Sequence, residues 1–322
     1  MQIDNPLVSI VLAVYKPNMK WFGELLDSLN NQSYSNIELL IWDDCPESPT
    51  DEDFIATHIQ AFEYTLYRGE KNMGSNYAFE RLTELSNGSY ISYCDQDDIW
   101  NYDKVETMVD AFVTKNVDLV YSDLSVIDGD GKDIFNSITK LSKRHVFLEG
   151  NDLFKSLIVR NVVVGCAMMV KAEIAKEAIP FDKNMVHDHW IALYAASKGY
   201  LYPIKVPLIK YRIHGSNQTG VLKGIQSKDD YYKKRILGFF KCAESMNDRF
   251  QNEEKLACIA RDNLKWAKAR VGYYGHVNIK DMYTLLKYRD YNQKTTSFEL
   301  LLPFMPEFLF RRIVQKIKEA KI

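Results

Sequence analysis

The chain has 322 residues, enough for one large α/β domain with an appendage, and its 46% hydrophobic content excludes a disordered polymer. Five cysteines (Cys45, Cys94, Cys166, Cys242, Cys258) lie scattered without CxxC spacing, which points to free thiols in a reducing compartment rather than to a zinc site or a disulfide framework. The net charge of −2 conceals an asymmetry: residues 1–220 carry roughly 20 basic against 31 acidic side chains and residues 221–322 roughly 21 against 12, so the first part argues against nucleic acid as a partner and the second suits an anionic surface.

Val8–Val14 is a continuous apolar run rich in β-branched residues, as in a parallel strand buried on both faces. After a loop with Pro17, Trp21, Leu25, Leu26 and Leu29 recur at helical spacing. Ile37–Trp42 predicts a second strand, which ends in Asp43-Asp44. A helix over 51–61, a strand over 64–67, a helix over 75–85 and a strand over 90–94 follow. This alternation predicts an α/β fold with a doubly wound, mostly parallel sheet. Ligands of such sheets sit beyond the carboxyl ends of the strands, so the carboxylates that close the second and fourth strands should face one crevice.

The fourth strand delivers Asp95, Asp97 and Asp98 within four positions, followed by Ile99 and Trp100. Carboxylates crowded this closely repel one another, and a bound cation relieves them. Hard oxygen donors suit Mg²⁺ or Mn²⁺, which often bridges to phosphates of a substrate. Asp98 is also placed to cap the helix expected over 103–115. Short strands are expected at 119–122 and 125–127. The Asp128-Gly129-Asp130-Gly131 run reads as a hairpin turn, because it lacks the glutamate of a calcium loop. A strand over 166–170, helices over 172–178 and 188–197, and strands over 201–204 and 207–212 complete this part. Segment 135–164 offers no assignable site residue. From residue 222 the pattern is helical, with helices expected over 231–246, 255–274 and 279–288. The expected domains are therefore 1–220, catalytic, and 221–322, helical. No apolar run approaches the ~20 residues of a membrane span.

Asp43-Asp44, Asn72-Met73-Gly74, Asp95-Gln96-Asp97-Asp98-Ile99-Trp100, His187-Asp188-His189-Trp190 and Tyr211-Arg212-Ile213-His214 occur in that order. Together, over residues 7–220, they resemble family 2 glycosyltransferases of the GT-A (nucleotide-diphospho-sugar transferase) fold, whose sheet is mixed. The Asp-Gln-Asp-Asp-Ile-Trp form is similar to bacterial rhamnosyltransferase-like members that build surface polysaccharides. The resemblance implies an inverting, metal-dependent transfer of a sugar from a UDP- or dTDP-sugar to a hydroxyl of a glycan acceptor; a lipid-linked acceptor at the cytoplasmic leaflet would explain the basic, apolar end of the chain. Asp97 then ligates Mg²⁺ or Mn²⁺, Asp95 contacts the ribose or the metal, and His214 reaches the metal or the diphosphate, with Arg212 a second phosphate contact. Asp43 accepts from the N3–H of uracil or thymine. Ala13 and Tyr15 touch the base, and Asn72 and Gly74 lie beside the donor. Asp188 is the catalytic base. Tyr15 as ordinary packing and Asp44 as a cap of the next segment stay open.

One departure stands out: where many relatives have Ala-Arg-Asn, this chain has Ala78-Phe79-Glu80, which removes a positive charge near the donor. The loop 215–220 is expected to close over the donor. A catalytically silent nucleotide-sugar- or glycan-binding scaffold and a sugar-1-phosphate nucleotidyltransferase are the rival readings. The latter normally needs a glycine-rich loop after the first strand, and Ala13–Asn18 has none. Finally, Phe304, Phe308, Leu309 and Phe310 adjoin Arg311, Arg312, Lys316, Lys318 and Lys321. This combination suits docking on an anionic membrane surface, or equally packing against the catalytic domain or a second subunit in a homo-oligomer.

Overall fold

The computed structural model describes residues 5–141, 145–215, 217 and 222–319; Lys321 and most of the loop 215–220 lie outside these described residues. The chain divides into two compact units, Met1–Leu153 with Asn161–Gly215, and Phe154–Arg160 with Ser216–Ile322.

Among the described residues, the first unit is built on one mixed sheet of nine strands. They are β1 (Val8–Val14), β2 (Ile37–Asp43), β3 (Tyr64–Arg68), β4 (Tyr90–Cys94), β5 (Ile99–Trp100), β6 (Leu119–Ile127), β7 (Asp133–Phe135), β8 (Met168–Lys171) and β9 (Leu201–Arg212). Their order is β3-β2-β1-β4-β8-β6-β9-β5, with β7 paired to β6. β1 runs parallel to β2 and β4, and β2 to β3. β8 is antiparallel to both β4 and β6, while β6 and β9 are parallel. Two reversals through β8 return β6 and β9 to the direction of β1. The carboxyl ends of β1, β2, β4, β6 and β9 therefore share one edge, which receives Tyr15, Asp43, Asp95, Asp128 and His214. β8 runs the other way, so the 3₁₀ turn Gly165–Ala167 that precedes it opens on the same edge.

Every position of β1 except Ala13 is buried, as its unbroken apolar run requires. The helix Met19–Asn30 buries Phe22, Leu25, Leu26 and Leu29, and Asn18 caps it by accepting from the backbone N–H groups of Lys20 and Trp21. Each such side chain contributes roughly 1.5–3 kcal/mol of burial.

The structure joins what the sequence divides. The pieces expected at 119–122 and 125–127 are one strand, β6, and those at 201–204 and 207–212 are one strand, β9. Ser122 pairs with Ile204 but Asp123 pairs with Pro207, so Lys205 and Val206 bulge out of the ladder. Pro207 has no N–H to donate, and the bulge absorbs that defect. The strand expected at 166–170 starts at Met168, because Gly165–Ala167 turns instead.

The second unit is helical. Lys228–Tyr231 and Gly238–Arg249 are joined by a π-helical stretch, Tyr232–Leu237, and are followed by Glu254–Gly275, Ile279–Lys287, Gln293–Leu301 and Glu307–Glu319. Phe154–Arg160, from the segment that gave no sequence signal, groups with these helices. Arg270 and Glu299 form a buried ion pair at 2.7 Å, and the Tyr231 hydroxyl donates to Glu299 at 3.0 Å. Removing one partner would strand the other charge. Among the described residues, no helix is long and apolar enough to cross a membrane.

Candidate active site

Asp97 and His214 meet at the common edge. The Asp97 Oδ2 lies 2.6 Å from the His214 Nε2, although 117 positions separate them in sequence. The Trp21 ring packs 4.7 Å from the His214 ring, and its Nε1–H donates to the Gly129 carbonyl at 2.9 Å. The Asp128–Gly131 turn thus holds the tryptophan that backs the histidine. It is a hairpin turn closed by the Asp128 side chain, which accepts from the N–H groups of Asp130 and Lys132.

Arg212, expected to contact phosphate, is fully buried and committed elsewhere. Its Nε–H donates to the Asp97 carbonyl at 2.9 Å, its Nη1 faces the carbonyls of Asp128 and Gly129, and its Nη2 pairs with Glu24 at 2.5 Å. It is a strut that fixes the backbone behind Asp97, not a group aimed at a ligand. Asp98 is likewise corrected. The helix Lys104–Lys115 has Asp103 at its N-cap, and Asp98 is fully buried, accepting from the Arg212 N–H at 2.9 Å. Burial, then the neighbouring Asp97 and Asp95, push the Asp98 carboxyl well above the usual range. Behind it, Lys104 donates to the Ser92 hydroxyl at 3.0 Å and sits 3.2 Å from the Trp100 ring centroid. Burial lowers its pKa to about 7.

Across the edge, Asp44 accepts from the N–H groups of Met73 and Gly74 at 2.9 and 2.7 Å. It pins the Asn72–Gly74 loop and does not cap the segment that follows it in the chain; Asn72 itself accepts from the Gly74 N–H. Asp43 accepts from Cys45 and Thr50 N–H groups at 3.0 and 2.5 Å and has the Arg68 guanidinium 3.5 Å away. The Tyr15 ring is 40% exposed, and Gln96 grips its backbone twice, accepting from the N–H at 2.8 Å and donating to the carbonyl at 3.1 Å. Ala13 is half-buried one turn of strand earlier. Phe79 is core, and Glu80 accepts from the Phe181 N–H, so neither supplies the charge missing from that helix.

Asp188 sits in the first turn of the helix His187–Lys198. It accepts from the Asn161 amide at 2.9 Å, the Gly165 N–H at 3.1 Å and the His189 N–H at 2.6 Å. Burial raises its pKa to about 6 against the pull of these donors. Asp95 is raised to about 7, first by burial and then by the charges of Asp97 and Asp188. Asp188 is therefore close enough to the acidic run for its charge to be felt there. His187 is no ligand: it is buried against Phe79 and Tyr93, and burial lowers its pKa to about 3. A Cβ on Gly165 would lie 2.9 Å from the His187 Nε2 and 3.4 Å from the Asp188 Cβ. Gly165→Ala is expected to lower stability by about 1–3 kcal/mol and to lose activity as the Asp188 cradle shifts, read by a thermal melt beside a rate measurement.

The donor types suit a hard divalent cation: Asp97 and Asp95 carry carboxylate oxygens and His214 an imidazole nitrogen. Asp97 and His214 are in contact, and the charge of Asp97 adds to the burial that raises Asp95, a repulsion that such a cation would relieve. Asp95, Asp98 and Cys166 also bring ligand atoms within 4.8 Å of one another. Burial pushes the Cys166 thiol up and keeps it protonated, and Asp98 holds Arg212, so this group forms the inner wall.

Arg68, Gln96, Asn161 and Gly165 were not picked out from the sequence. Arg68 closes β3 directly opposite Asp43 in register, a pairing that only the structure shows. Asn161 had no signal, lying in a stretch without periodicity.

A mixed α/β sheet whose carboxyl edge gathers acids and a histidine, with a separate helical region, defines a GT-A-type glycosyltransferase. The Glycosyl transferase family 2 profile matches residues 9–177, more than half of the chain, which belongs to that family. An uncharacterised glycosyltransferase of Methanocaldococcus jannaschii is 27% identical over 71% of this chain and 78% of its own. The dTDP-rhamnosyl transferase RfbG of Shigella flexneri is 26% identical over 73% and 84%, respectively. The Escherichia coli UDP-Glc:alpha-D-GlcNAc-diphosphoundecaprenol beta-1,3-glucosyltransferase WfgD is 24% identical over 67% and 80%. Crystal structures of S. aureus TarS 1–349 with UDP-GlcNAc and with UDP share the fold, with TM-scores of 0.59 and 0.58 at 12% and 13% identity, each covering 98% of this chain and 90% of theirs.

Proposed function

We propose that this glycosyltransferase is inverting and metal-dependent, moving a sugar from a UDP- or dTDP-sugar to a hydroxyl of a glycan acceptor in bacterial surface polysaccharide synthesis. The observation that carries the reading is the meeting at one edge of Asp95 and Asp97, from the turn after β4, with Asp188, from the first turn of a separate helix, where the Gly165 and His189 N–H groups and the Asn161 amide hold it.

Asp188 takes the proton of the acceptor hydroxyl as its oxygen forms the new bond to the anomeric carbon, and the bond to the nucleoside diphosphate breaks. Asp97, Asp95 and His214 would hold Mg²⁺ or Mn²⁺. When bound, the ion neutralises the charge that gathers on the departing diphosphate. The Tyr15 ring covers the base, with the Ala13 backbone beside it. Asp43 and Arg68 offer an acceptor and a donor to the N3–H and carbonyl of uracil or thymine. Asn72 and Gly74, pinned by Asp44, border the donor. The names of RfbG and WfgD support dTDP- and UDP-linked donors, and that of WfgD supports an acceptor on a lipid diphosphate. Such an acceptor supports work in the cytoplasm, at the inner face of the membrane. The assigned domains are 1–220 for transfer and 221–322 for docking.

A panel of nucleotide sugars in the presence of Mn²⁺ tests the donor class by thermal melts. Binding of the correct donor at 100 times its dissociation constant raises stability by about 2.7 kcal/mol. UDP- or dTDP-sugars are expected to raise the melting temperature and GDP-sugars to leave it unchanged; the reverse pattern would overturn the pyrimidine reading.

A further inference from the structure

We infer that the helical unit carries a docking surface for an anionic lipid bilayer, centred on Leu301, Phe304 and Phe308. These side chains are 64%, 69% and 73% exposed. They surround the corner between the helices Gln293–Leu301 and Glu307–Glu319, where Pro303 and Pro306 interrupt the helical chain. Other residues of the same elements point the other way: Leu302 and Phe310 are fully buried and Val314 is 5% exposed, forming a core with Phe298 and Tyr231. The corner thus supplies its own core and still turns Leu301, Phe304, Phe308 and the 40%-exposed Leu309 outward. Folding gains nothing from leaving them in water, and grouped exposure of this kind marks a contact surface.

Charge chooses the occupant. One helical turn beyond Phe308, on the same face, stand Arg311 and Arg312, both exposed, and Lys316 follows. The Arg311–Glu307 pair is open to solvent and neutralises little of this charge. Apolar groups at a tip with guanidinium groups a turn above match the depth profile of a leaflet, acyl region first and phosphates next. The helix Ile279–Lys287 repeats the pattern. Ile279, Met282, Tyr283 and Leu286 form an exposed stripe at helical spacing, 80%, 37%, 67% and 44% exposed, while Leu285 faces inward. Exposed Lys280 and Lys287 flank that stripe. A second copy of this chain would bring a like-charged surface against Arg311, Arg312 and Lys316, whereas an anionic bilayer brings opposite charge to them.

The inference rests on the reading that the acceptor is carried on a lipid, but its test needs no acceptor. The full chain is sedimented with phosphatidylglycerol–phosphatidylcholine vesicles and with pure phosphatidylcholine vesicles. Binding to the anionic vesicles alone, falling with salt, is expected. Arg311→Glu/Arg312→Glu is expected to reduce that binding about tenfold or more, and Phe304→Ser/Phe308→Ser comparably, because both pairs lie outside the core. Thermal melts and donor binding should stay at the wild-type level in both variants, which separates lost docking from lost fold or lost catalysis. Absence of binding to anionic vesicles, equal binding to neutral ones, or unchanged binding by both variants would overturn the inference. So would a dimer in light scattering that Phe304→Ser/Phe308→Ser dissociates.

Discussion

Asp188→Asn is expected to lower kcat by about 10²–10⁴ while leaving donor affinity nearly unchanged, since the loss falls on proton removal and not on the nucleotide. The substitution preserves shape and keeps one acceptor oxygen, which can serve the His189 N–H and the Asn161 amide as Oδ1 does, at the cost of the Gly165 N–H bond to Oδ2. It also removes a charge that burial disfavours, so the fold should survive it. The pH profile gives a second readout. Burial penalises the charged carboxylate and raises the Asp188 pKa to about 6, so the base form predominates above that pH and is lost as pH falls through it. With saturating metal, wild-type kcat/KM should be level above about pH 6 and fall tenfold per unit below it. The variant should lack that acid limb. Retention of more than about a tenth of wild-type kcat would remove Asp188 from the role of base.

The strand ends were legible because burial on both faces writes an unbroken apolar run, and the charge that follows each run marks its end. Asp43-Asp44 and Asp95–Asp98 stood out for that reason, and register places them on one edge. What the individual acids do was less legible, because a sequence shows charge and not direction. Asp98 has the same spacing as a helix cap, yet it turns inward to hold Arg212. Arg212 has the charge of a phosphate ligand, yet it is consumed by Glu24 and three carbonyls. Both signals were of the right chemical type, and both were absorbed by long-range partners that no local pattern encodes. The cradle of Asp188 is the extreme case. Asn161 and Gly165 act through an amide and a backbone N–H, which leave no periodic trace.

Asp97→Ala carries the other large effect. Asp97 is the acid that also touches His214, so under the proposed metal role its removal would take away one ligand and release a second. The transfer rate per donor, kcat/KM, is expected to fall about 10³-fold, corresponding to about 4 kcal/mol of transition-state stabilisation. Excess EDTA should impose a similar loss on the wild type and almost none on the variant, because two interventions on one interaction do not add. Stability should move the other way or stay level. The charge of Asp97 is among the causes that hold Asp95 up at about 7, and deleting it relieves that repulsion. A variant that melts no lower than wild type yet transfers a thousandth as fast would separate chemistry from folding. If EDTA leaves the wild-type rate unchanged, the cation has no part in transfer. The 2.6 Å contact between Asp97 and His214 then reads as a hydrogen bond that fixes the imidazole at this edge.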